Sequence, residues 1–363
     1  MLDAVLLSLL AAGAAATPPA GPPVDVSRPP AHDVTMAVDV GPARDVLALL
    51  AARPEAPAAL RRLRASRAFA VALSRDGRNP EDVLGRLVSV AAGTPDPLLS
   101  GYGKRAAVFS AILDAVEVDG TPGAMVEARR ISALLPVSPR VTARLRIVPL
   151  FSLGGFDDVV AEEDGETTYL FVDLGRLAPA EGAEIVPREI VLSILRSAAS
   201  ASWKRLFAPF RVPPAWPPEK GPDFDAFLSR TVAEGPPTLF LVPDEFFPVG
   251  TMFDEPIARS FERWNATAEV LLDPKAKEES RREALAGAAT GSEFWSRHAS
   301  VVGVKIAETI LGRAGTAKYV EALAAGPRAV AALYLEVTKK TKDPTFGKPV
   351  RKALEAKAPD ARP

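Results

Sequence analysis

The sequence predicts an α+β fold that is mainly α-helical. Three observations carry that prediction. Stretches rich in Ala and Leu, which are good helix formers, alternate with connections where many of the 35 prolines gather. One region, 144–174, instead alternates or runs apolar around an Asp164-Gly165 pair, the mark of a tight β-hairpin turn. The longest interior apolar run, 187–207, follows directly on the best strand, 167–177. A strand leading into a long buried helix is where several enzyme folds keep their chemistry.

In chain order, 1–16 reads as a signal peptide, with an apolar core at 4–10 and an A-x-A site at Ala14 and Ala16. It carries Asp3 where a leader has a basic residue. The expected location is therefore secreted or periplasmic. Residues 17–33 form a Pro-rich linker, with His32 expected to be solvated. An N-terminal helical region follows at 34–140. It opens with a short strand at 34–40 and continues with helices at 42–52, 57–73, 80–92, 104–116 and 122–135. Asn79 caps the third of these and Pro80 is its first residue. Arg61, Arg62, Arg64 and Arg67 read as a solvated face. The β region supplies strands at 144–153, 157–161 and 167–174, with a turn at 162–166. A central helix and a C-terminal helical bundle complete the region 141–337. In that bundle one helix ends at Ala233-Glu234-Gly235-Pro236 and another breaks at Gly312. Residues 338–363 read as a loose basic tail.

Composition excludes several functions. There are 44 basic and 45 acidic residues, a balance that argues against a nucleic-acid partner. No cysteine is present, which removes disulfides, thiolate metal sites and cysteine nucleophiles. Only His32 and His298 are available as imidazoles, and they lie far apart in the chain. A lone His298 at a helix start reads as a packed or surface residue. The central-helix serines have no G-x-S-x-G elbow. The carboxylates Asp244, Glu245, Asp254 and Glu255 around an aromatic loop read as surface or capping groups. No cofactor is expected. After removal of the leader no transmembrane segment is expected either.

The order of elements nevertheless carries a resemblance. A β unit, a long helix, the Glu234-Gly235 segment, a proline-aromatic loop and the stretch Gly303-Val304-Lys305-Ile306-Ala307-Glu308 with Gly312-Arg313 resemble the catalytic region of gluzincin-type zinc metallopeptidases, and more narrowly a group of secreted bacterial zinc peptidases. The resemblance implies a zincin-like central helix carrying H-E-x-x-H, a glutamate ligand from the E-G segment, and a cleft near Tyr169, Phe171 and His298. This chain departs from the pattern where the chemistry lies. Arg196, Ser197 and Ser200 stand where His, Glu and His would be, and the register starting at Ser193 loses them too. A zinc-hydroxide mechanism needs imidazoles for the metal and a carboxylate for the proton. The expectation is a pseudo-peptidase without metal, in which Arg196 pairs with Glu234 and the former cleft binds a peptide or protein. The alternative is an unrelated helical structural or interaction protein of the bacterial cell envelope.

Overall fold

Apolar residues run almost without interruption through 147–151 and 168–172, the signature of strands covered on both faces. In the computed structural model, which describes residues 31–51, 56–75, 77–151, 159–177, 186–210, 224–241, 253–289 and 294–355, they form the centre of a four-stranded sheet. The strands are β1 (Asp33–Val38), β2 (Thr142–Leu150), β3 (Val159–Asp164) and β4 (Thr167–Asp173), in the order β1-β2-β4-β3. β1 and β4 both run parallel to β2, and β3 runs antiparallel to β4. The expected hairpin is therefore β3–β4, with β2 as its parallel neighbour. Glu162, Glu163 and Asp164 lie in the strand, not in the turn. Asp164 faces Thr167, which leaves Gly165 and Glu166 as the two loop residues. Gly165 has φ 59°, the value a primed turn requires at its first loop position. Pro149 lies beyond the last residue of β2 paired with β1, so its missing N–H breaks no bond on that side.

The chain divides into two compact units, one of 30–132 with 140–205, the other including 133–139 and the chain from 206 onward. The boundary expected at 140/141 instead runs inside the first unit, because β1 hydrogen-bonds β2 across the whole helical region. His32 is the clearest correction there. It is buried, not solvated. Its Nδ1 accepts the Val141 N–H at 3.0 Å and its carbonyl accepts the Ser132 hydroxyl at 3.4 Å, which ties the start of β1 to that of β2.

Among the described residues six helices connect β1 to β2: α1 (Gly41–Leu50), α2 (Ala56–Ala65), α3 (Arg67–Arg75), α4 (Pro80–Ala91), α5 (Pro97–Lys104) and α6 (Ala106–Leu134). The single helix expected at 57–73 is two, because Ser66 stops the first and accepts the Phe69 N–H at 3.2 Å to start the second. Asn79 caps α4 as expected, accepting the Glu81 N–H at 3.0 Å. The helices expected at 104–116 and 122–135 are one, α6. Pro122 removes the bond to the Val118 carbonyl, but Val118 is 72% exposed, so water can take that carbonyl.

After β4 and a single helical turn at Leu174–Leu177 comes α7 (Pro187–Leu206). The second unit holds α8 (Phe224–Leu241), α9 (Asp254–Leu272), α10 (Glu278–Ala289), α11 (His298–Ala325), α12 (Pro327–Thr338) and α13 (Lys348–Glu355). α8 does not end at Ala233. It continues through Pro236 and Pro237, which are buried with Leu239 and Phe240, so packing overrides the loss of two N–H donors. α11 kinks at Gly315, φ 82°, and not at Gly312. The stretch 338–355 is not a loose tail either. Phe346 is fully buried against Trp264, 4.9 Å between ring centroids, and Val350 fixes α13. The leader, the linker to 30, residues 211–223, Asp244, Glu245 and 356–363 lie outside the described residues.

Candidate functional site

α7 is built by a two-residue-wide apolar stripe. Ile190 and Val191, Ile194 and Leu195, Ala198 and Ala199, and Ser202 and Trp203 recur every four residues, and all are buried. Pro187 and Glu189 suit its first turn, and Lys204 and Arg205 suit the negative end of its dipole. Burial of each large apolar side chain contributes about 1.5–3 kcal/mol. Ser202 turns its hydroxyl back onto the Ala198 carbonyl at 2.7 Å. A Cβ on Gly123 of α6 would stand 2.4 Å from Leu195 Cδ1, so that glycine lets the two helices approach.

Arg196 and Ser197 are half-buried and Ser200 is buried; Ser193, the alternative start, is half-buried. No imidazole or carboxylate lies at any of these positions, so the donor set does not fit zinc. Among the described residues no group of three or more His, Asp or Glu could hold a metal ion.

The sheet beside α7 places the expected cleft residues differently from one another. Tyr169 and Phe171 are alternate residues of β4, buried, with rings stacked at 5.8 Å and 6°. β3 is the sheet edge beyond them. Its carboxylates are held by arginines from neighbouring elements. Arg67 grips Asp164 through two bonds of 2.6 and 2.5 Å, Arg75 reaches Glu162 at 2.9 Å, and Arg205 pairs with Glu163. The bond from Arg67 holds the Asp164 carboxyl below its ordinary range. At the end of β4 the buried Asp173 accepts the Gly175 N–H at 2.9 Å. Burial, aided by the Asp173 charge, pushes the Tyr102 phenol up to about 12. Sequence reading passed over this Tyr102–Asp173 group. The one available signal was an acidic residue closing an apolar strand.

In the second unit the glycines of the resembling segments meet. A Cβ on Gly303 would lie 2.1 Å from the Thr231 carbonyl oxygen, and one on Gly235 would lie 2.6 Å from the Gly303 carbonyl oxygen. α8 and α11 therefore cross backbone to backbone at Gly235 and Gly303. Thr231 also accepts the Trp264 indole N–H at 2.8 Å. His298 is buried in the same unit, with Nε2 3.2 Å from the Thr267 hydroxyl and its ring edge-on to Phe227. Burial, with the nearby Arg263, pushes its imidazole down to about 4. Arg313, with Lys305 beside it, holds the chain beyond α12 through Asp343. Lys305 bonds Glu308 at 2.9 Å, and Arg313 bonds Asp343 at 2.6 Å. Glu234 is half-buried on α8. It belongs to the second unit and Arg196 to the first, so their expected pairing is not part of the internal structure of either.

Comparison with protein-family models, with curated proteins and with solved structures finds no match for the chain. No helix among the described residues is long and apolar enough to cross a membrane.

Proposed function

We propose that the chain is a metallopeptidase-like pseudoenzyme, exported by its leader, that binds an extended peptide along the edge strand β3 and does not cleave it. The observation that carries this reading is the position of β3. It is an antiparallel edge strand, followed directly by β4 and then by α7, whose Arg196, Ser197 and Ser200 can neither hold zinc nor take a proton from water. An extended peptide joins such an edge through main-chain hydrogen bonds. The two-residue loop closes on the pair Asp164–Thr167, so the alternation of an antiparallel ladder turns the backbone of Val159, Ala161 and Glu163 to the outer edge. This supports a test that spares the fold. Ala161→Pro removes one outward N–H and no ladder bond. Fluorescence anisotropy with a library of unstructured peptides should show binding by the native chain, its loss in the proline variant, and no cleavage with added zinc. Binding that survives the substitution, or peptide hydrolysis, overturns the reading.

A further inference from the structure

The charged residues at the end of the second unit divide into two sets. Six cations, Lys339, Lys340, Lys342, Lys348, Arg351 and Lys352, occur within 14 residues, with Asp343 the one carboxylate among them. Asp343 is turned inward. It is bound by Arg313 at 2.6 Å and by the Thr341 hydroxyl at 2.5 Å, with Lys305 at 4.0 Å. The six cations are exposed, and none of them pairs with a carboxylate among the described residues. Arg62, Arg64 and Arg67 are as exposed, yet each of those meets a carboxylate from a neighbouring element. The segment that carries the six is also held in place. Phe346 is buried among Trp264, Phe261 and Tyr334. Asn265 accepts the Gly347 N–H at 2.8 Å and donates to the Thr345 carbonyl at 3.2 Å. Arg328 donates to the Ala353 carbonyl of α13 at 2.7 Å.

We infer that this segment is an electrostatic docking face for an anionic lipid surface. Five of the six cations are lysines, which act as point charges and suit a diffuse field better than bidentate recognition of one group. The apolar groups of the segment, Phe346 and Val350, are spent on internal packing, so no aromatic ring is offered for a nucleic-acid base to stack on. A cluster of four to eight cations is what an anionic bilayer attracts, at about 1 kcal/mol for each one brought near the surface. The segment is held in place, so its charges are presented without the cost of ordering a free tail.

The test uses the full chain and sedimentation with vesicles. Binding is expected to phosphatidylcholine vesicles containing about a third phosphatidylglycerol, with none to phosphatidylcholine alone, and release at about 0.5 M salt. The triple variant Lys339→Gln/Lys340→Gln/Lys342→Gln should weaken partitioning on the order of 100-fold, with an unchanged melting temperature. The control Lys275→Gln/Lys277→Gln, at exposed positions ahead of α10, should stay within about twofold of the native chain, since its charges are not part of the 339–352 segment. Absence of binding to the anionic vesicles overturns the proposal, as does equal binding by the triple variant. Competition by a single-stranded oligonucleotide at lower concentration than lipid would assign the face to nucleic acid and overturn it too.

Discussion

Around the sheet, exposed arginines on α2 and α3 reach carboxylates of neighbouring elements, and glycine is used to fit a helix against a flexible side chain. In the helical unit two helices touch backbone to backbone, and the aromatic rings of Trp264, Phe261, Tyr334 and Phe346 interlock. The first arrangement tolerates change, because a leucine end or a solvated ion pair can move. The second does not, because a carbonyl oxygen in a packed helix has nowhere to go.

Replacing one glycine in each unit with alanine should expose the contrast most strongly. Gly303→Ala pushes a methyl into the Thr231 carbonyl and should lower unfolding stability by about 3 kcal/mol or more, read from the denaturant midpoint. Gly123→Ala meets only the end of Leu195, and a helix-propensity gain of about 1 kcal/mol offsets the repacking. Near-equal effects would break the comparison. Phe346→Ala should cost a comparable amount, about 3–5 kcal/mol, because it empties the centre of the aromatic group. A change under about 1 kcal/mol would restore the loose tail that the sequence suggests.

The third test uses pH. The folded imidazole of His298 titrates near 4, below its ordinary 6.5. The unfolded chain therefore binds more protons between those values, and stability falls as pH drops from 6.5 toward 4. The loss should be about 3 kcal/mol in all, and His298→Gln should flatten that part of the curve. The smallest effect belongs to the sheet unit. Arg64→Ala removes an exposed, solvent-screened pair with Glu81 and should leave the denaturant midpoint almost unchanged, with any difference vanishing in high salt.

Sequence reading succeeded where a local signal decides a local structure. Asn79 before Pro80, the Asp164-Gly165 turn and the apolar stripe of α7 each act within a few residues. It failed where distant partners decide. Nothing local says that β2 pairs parallel with both β1 and β4, or that Pro122, Pro236 and Pro237 stay helical because exposure or burial elsewhere compensates them. His32 and Phe346 were read from their polar, proline-rich or basic surroundings and so were placed in solvent. The glycines of the resembling segments were legible as Gly235 and Gly303, but their joint role as a helix crossing needed the fold. For the proposed site, the absence of zinc ligands on α7 was legible residue by residue. The edge position of β3 was not, since it depends on the order of strands.

The proposed reading turns on whether that edge receives a peptide. Amide hydrogen exchange of the full chain, with and without a saturating peptide from the library, tests this most directly. The amides of Val159, Ala161 and Glu163 should slow by about tenfold or more, while those of Val160, Glu162 and Asp164, already in the ladder with β4, should not change. Protection appearing elsewhere, or no protection of those three amides at saturation, would contradict it.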